Sequence, residues 1–138
     1  MNDAAQRSDR IVLVDLQFRR GDLHKIRTVA TAFAHRHGAA SGQIDKLVLM
    51  ASELVVNAIS HGGGRGRMQL WRLGGQLYCE VSDAGRGIAE PEEAGVSAPQ
   101  PGVPGGRGLW VVRSLADTIQ IYSGPGGTSI TVCVPLHA

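Results

Sequence analysis

Hydrophobic positions along the chain change period several times, and each change marks an element. In residues 11–18, Val12, Val14, Leu16 and Phe18 recur at period two, which predicts a strand with one apolar face. After Gly21-Asp22 the spacing becomes helical, with Leu23, Ile26, Ala30, Phe33 and Ala34 on one stripe and Gly38 as the stop. Ser41 is the expected N-cap of a second helix. Its stripe runs Ile44, Leu47, Val48, Ala51, Leu54, Val55, Ala58, Ile59 and ends at Gly62-Gly63-Gly64. Residues 67–73 and 76–82 alternate as two strands, and Gly74-Gly75 between them predicts a type I′ hairpin with positive φ at both glycines. Residues 84–106 hold four prolines and no periodicity, so a long loop is expected there. A third helix is predicted over 107–116, and a last hairpin joins 118–122 to 128–134 around Gly124-Pro125-Gly126-Gly127. Hairpin-paired strands with interspersed helices argue against a regular βαβ wind. The expected fold is a two-layer α+β sandwich, a mixed and mostly antiparallel sheet with three helices on one face.

Length fits one domain: 138 residues, with 1–10 a polar, flexible start and 11–138 the folded unit. A hydrophobic share of 43% excludes a disordered chain. No apolar run nears the roughly 20 residues of a membrane span, and residues 1–10 lack a signal-like apolar stretch. A formal charge of +2 is too small to argue for a nucleic-acid partner. Cys79 and Cys133 lie in apolar stretches without metal spacing and are expected as buried free thiols in a reducing cytoplasm. Glycine is the compositional outlier. There are nineteen, and sixteen of them fall between Gly62 and Gly127, in the loops.

Three stretches carry candidate chemistry. Between Lys46 and Arg65 the single formally charged residue is Glu53, and Asn57 follows four positions later on nearly the same side of the helix. Met50, Ser60 and His61 share that side, roughly opposite the apolar stripe. A lined pocket and an ordinary solvated face both fit these residues, although a solvated face usually mixes several charges of both signs. Asp83-Ala84-Gly85-Arg86-Gly87-Ile88 follows a strand directly. It suits either a ligand approached closely by backbone or a plain Asp-Gly turn. Gly105-Gly106-Arg107-Gly108-Leu109 opens a helix, where free N–H groups and the helix dipole favour anions. It is neither a Walker A loop nor a dinucleotide fingerprint.

The order of the three resembles the GHKL superfamily of ATP-binding domains, the Bergerat fold, over about residues 11–135. Glu53-Leu54-Val55-Val56-Asn57-Ala58 with His61 is similar to its N box, Asp83 to Gly87 to its G1 box, and Gly106-Arg107-Gly108-Leu109 to its G2 box. Gly127-Thr128 resembles its terminal threonine motif. The small size and Glu53, where histidine kinases usually carry Asn, make the chain most similar to bacterial anti-sigma factor serine/threonine kinases.

That resemblance implies ATP and Mg²⁺ as ligands. It makes Asn57 the Mg²⁺ ligand and Asp83 the acceptor for the adenine amino group, with Gly85, Gly87 and Ile88 around the base. Gly105, Gly106, Arg107, Gly108 and Leu109 would cradle the phosphates, and Thr128 would support the adenine end. Glu53 would be the catalytic base and residues 88–105 a lid. The implied partners are a STAS-type anti-anti-sigma protein, phosphorylated on serine or threonine, a sigma factor, and a second copy in a homodimer. Neither nucleic acid nor a membrane is implied, and the implied compartment is the cytoplasm. A regulator that binds ATP without turnover, and an interaction module without nucleotide, are the competing readings.

Overall fold

The structure, a computed structural model, describes residues 11–85, 95 and 107–137. Its elements are β1 (Val14–Arg19), α1 (Leu23–Arg36), α2 (Ser41–His61), β2 (Arg65–Leu73), β3 (Gln76–Asp83), α3 (Arg107–Leu115), β4 (Thr118–Gly124) and β5 (Gly127–Pro135). The strands form one sheet in the order β1-β2-β3-β5-β4, and every pairing is antiparallel. The three helices layer on one face, as the α+β reading expects. The central helix, α2, packs between α1 and α3 and lies over β2, β3 and β5. No helix among the described residues is long and apolar enough to cross a membrane.

Period-two alternation accounts for which sheet face meets the helices. Leu16, Met68, Val81 and Ile130 follow one another across the register of β1, β2, β3 and β5, all turned to the helix layer. They meet Leu47, Leu54, Val55 and Ala58 of α2, none more than 1% exposed. Each fully buried Leu or Val contributes about 1.5–3 kcal/mol relative to exposure, so this stripe decides where α2 lies. Helix α2 is pinned at its start and in its middle. At its start, Gln43 Nε2 donates to the Pro135 carbonyl at 3.0 Å and Ala40 N–H to the Leu136 carbonyl at 2.9 Å. Ser52, buried in mid-helix, accepts Arg27 Nε from α1 at 3.1 Å.

Some local expectations change. The residue before α2 is Ala40, in an extended conformation and with no side-chain cap, while Ser41 is the first helical residue and exposed. The tie to Leu136 holds that chain end instead. In the Gly74-Gly75 turn only Gly74 has positive φ, 60°, so the turn follows the II′ pattern rather than I′. The last hairpin closes on the two residues Pro125-Gly126, which lengthens both of its strands. Cys79 and Cys133 are free and buried. They occupy opposite faces of the sheet, Cys79 in the helix-side core, where burial pushes its thiol up to about 12.

Candidate functional site

The site follows the C-terminal half of α2. Asp83 ends β3, and its Oδ1 accepts the Gly85 N–H at 2.9 Å, as in the Asp-Gly turn, one of the two readings of this stretch. Its other carboxylate oxygen lies against Gly62, the residue that closes α2. A Cβ on Gly62 would stand 2.3 Å from Asp83 Cγ, and one on Gly85 would stand 2.5 Å from Gly62 Cα. From the far side, a Cβ on Gly127 would fall 2.0 Å from the Asp83 carbonyl oxygen. Three chain segments therefore meet at Asp83 with room only for glycine. Thr128, opposite Asp83 in the β3–β5 register, is buried and shares a 2.8 Å hydroxyl hydrogen bond with Ser123. Among the described residues, Asp83 Oδ2 receives no hydrogen bond and is available as an acceptor.

Two and a half turns back along α2 is the second part. Glu53 and Asn57 are both half-buried, on the flank beside α3. A Cβ on Gly108, in the first turn of α3, would lie 3.0 Å from Glu53 Oε2. Glu53 thus rests against the N-terminal end of a helix, where a negative charge is favoured. From Glu53 to Gly62 the helix rises about 13 Å, so α2 alone connects the carboxylate of Asp83 to the mouth of α3. Met50, expected beside Glu53 on a polar side, is fully buried instead. The outward side of α2 runs through Asp45, Leu49, Val56 and Ser60. Glu53 and Asn57 thus stand half-buried between the apolar stripe and that outward side.

Glu53, Asn57, Asp83, Gly85, Gly108 and Thr128 are all placed along this one helix. Leu109 is buried in the core, so only its backbone can serve a ligand. Gly87, Ile88, Gly105, Gly106 and the side chain of Arg107 lie outside the described residues, as does the loop read as a lid, apart from Gly95. Gly95 (φ 74°) lies against the backbone of Leu109. His61 is exposed at the end of α2. Trp71 is buried on the helix-free sheet face, stacked on Tyr78 with ring centroids 5.4 Å apart, and Trp110 is partly exposed on α3. The residues that the sequence reading missed are Gly62 and Gly127 as packing positions. Gly62 was expected only as a helix stop, yet its φ is −108°, open to any residue, and the positive values belong to Gly63 and Gly64. What Gly62 supplies is the absence of a side chain.

Among the described residues no group of three His, Cys, Asp or Glu could hold a metal. Mg²⁺ at a nucleotide is ordinarily held by one or two side-chain oxygens together with phosphates, so the uncommitted amide of Asn57 on the same flank as Glu53 fits it.

A comparison with curated proteins gives no match. Among solved structures, the chain is similar to the histidine kinase domain of a blue-light activated histidine kinase from Erythrobacter litoralis. That match has 24% identity and a TM-score of 0.56, and covers 83% of this chain and 63% of that one. It is also similar to the RsbU and RsbW domains of a Mycobacterium tuberculosis protein, with 22% identity and a TM-score of 0.63, covering 88% of this chain and 32% of the other. The SiaB–SiaC complex from Pseudomonas aeruginosa matches at 10% identity and a TM-score of 0.63, over 97% of this chain and 98% of that one. The chain thus spans less than two thirds of the first two structures, and all three show a shared fold. A family model described as the histidine kinase-like ATPase domain matches residues 16–134, which implies ATP as the ligand, and the chain belongs to that family.

Proposed function

We propose that this chain is an ATP-binding regulator that works as a serine/threonine protein kinase in the cytoplasm. It would transfer the γ-phosphate of ATP to a hydroxyl of a STAS-type anti-anti-sigma partner and hold a sigma factor in alternation. The observation that carries the reading is the course of α2 from the Asp83–Gly62 contact to the Glu53–Gly108 contact. Its rise of about 13 Å suits a ligand with a base at one end and a charged phosphate chain at the other. Asp83 Oδ2 accepts a hydrogen bond from the adenine amino group, where the carbonyl of guanine would be repelled. Gly85 keeps the backbone close to the base, and Thr128 buttresses Asp83 from β5. The N–H groups opening α3 at Gly108 and Leu109 face the phosphates. The amide oxygen of Asn57 holds Mg²⁺, which when bound neutralises phosphate charge.

In the transfer step, Glu53 takes the proton from the acceptor hydroxyl. The hydroxyl oxygen bonds to the γ-phosphorus, the bond from that phosphorus to the β,γ-bridging oxygen breaks, and ADP leaves. Support for a protein acceptor comes from the names of similar structures, an RsbW domain and the two-protein SiaB–SiaC complex. A second reading rests on the contact between Glu53 and the start of α3: the carboxylate acts only as a helix-end charge, and the protein binds ATP without turnover.

Incubation with Mg-ATP and a STAS-type protein from the same organism, followed by mass spectrometry, tests the proposal. An 80 Da gain on a serine or threonine of the partner is expected. A melting temperature raised by Mg-ATP with an unmodified partner would favour the second reading. No thermal response to Mg-ATP would remove both.

A further inference from the structure

The sheet face away from the helices carries a groove whose arginines the nucleotide reading leaves unused. Gln17, Phe18, Arg65, Gly66, Arg67, Ser82, Asp83 and Ala84 line a depression of about 440 Å³ where β1, β2 and β3 end together. In the β1–β2 register Arg19 stands directly opposite Arg65, and Gln17 opposite Arg67, all on this face. Like charges directly opposite each other in an antiparallel pair destabilise it, so Arg19 and Arg65 sit where an external anion would relieve repulsion. Among the described residues neither guanidinium has an ion-pair partner.

The same face shows how such an anion would be held. Arg67 grips Asp15 diagonally with two guanidinium nitrogens, Nε donating at 2.7 Å and the second through a terminal nitrogen. A fork of this kind suits a planar carboxylate. Glu80, buried on the same face near Arg67, accepts the Thr131 hydroxyl at 2.8 Å, and the remaining nearby carboxylates are turned elsewhere. Asp22 accepts the Arg19 backbone N–H at 3.0 Å, and Asp83 turns its carboxylate toward Gly62 on the helix side. The hydroxyl of Ser82, which lines the groove, completes the donor set. A polynucleotide would need a longer cationic track than two strands provide.

We propose that Arg19 and Arg65, with Gln17 and Ser82, form a binding site for a carboxylate-bearing peptide segment of a partner protein on the open face of the sheet. The inference does not depend on the nucleotide site. A fluorescein-labelled octapeptide of alternating Glu and Ala, and its Gln-for-Glu counterpart, are titrated with the full chain and read by anisotropy. The Glu peptide is expected to bind more tightly than the Gln peptide and to weaken as NaCl rises from about 0.05 to 0.5 M. Arg65→Glu is expected to weaken it about tenfold or more with an unchanged or raised melting temperature, because the substitution turns a repulsive cross-strand pair into an attractive one. Arg19→Glu provides the same test from β1 should the first variant fold poorly. Equal binding of the two peptides, or undiminished binding to both variants, would overturn the proposal. So would self-association that Arg65→Glu abolishes while leaving peptide affinity intact, since the face would then serve a second copy of the chain.

Discussion

At the Asp83 end of the candidate site, three glycines leave no room for a side chain; at the Glu53 end, backbone meets the tip of a flexible side chain. A Cβ on Gly62 would stand 2.3 Å from Asp83 Cγ, one on Gly85 2.5 Å from Gly62 Cα and one on Gly127 2.0 Å from the Asp83 carbonyl oxygen, whereas one on Gly108 would stand 3.0 Å from Glu53 Oε2. The first junction joins α2, β3 and β5 and cannot shift without moving all three. The second can adjust through the rotamers of one glutamate, which suits the end of a site where bonds change.

Glu53→Ala should produce the largest effect, about 10²–10⁴ in the rate of phosphotransfer to the partner. Affinity for ATP measured by calorimetry should stay nearly constant. An undiminished rate would remove Glu53 from the chemistry and leave it a helix-end charge. Gly127→Ala adds a side chain at φ 134° against a carbonyl oxygen. It should cost about 3 kcal/mol or more in urea unfolding, and a loss below about 1 kcal/mol would show that the Asp83 junction is not rigid. Asp83→Asn preserves shape but puts donors where an acceptor is needed, so ATP binding should weaken by about 1–3 kcal/mol.

The middle of β3 serves as a control away from both ends. The Cys79 thiol is raised from 9.0 to about 12 by burial, so its contribution is complete well below pH 9 and fades as pH rises toward 12. Stability should fall by about 1 kcal/mol between pH 9 and 10 on this account, and Cys79→Ala should flatten that alkaline limb. Gly108→Ala should be the mildest change in stability, about 1 kcal/mol or less. If it unfolded the protein as readily as Gly127→Ala, the contrast between the two ends would disappear.

Much of this architecture was legible in periodicity. The stripe on α2 and the alternation in β2, β3 and β5 report burial directly, because each residue's surroundings repeat with the geometry of its own element. Ser41 misled because a serine before an apolar stripe matches a cap, while the actual anchor is the distant Leu136 carbonyl. Met50 misled because it is buried by tertiary packing, which leaves no signature in the local sequence. The order of Glu53, Asp83 and Gly108 suggested the site, yet the tight meeting of Gly62 with Asp83 joins segments twenty residues apart and emerges only when β3 is laid beside the end of α2. A run of three glycines reads as a turn, and nothing within it separates the one that packs from the two that bend.

The dual duty of α2 has a dynamic consequence. One side of this helix is the centre of the hydrophobic layer and an adjoining flank carries Glu53 and Asn57, so its amides should exchange with solvent chiefly through opening of the whole domain. A ligand resting on that flank would slow deuterium uptake throughout the helix by the factor one plus its concentration over Kd. The imprint of an occupant would then extend well beyond the residues it touches.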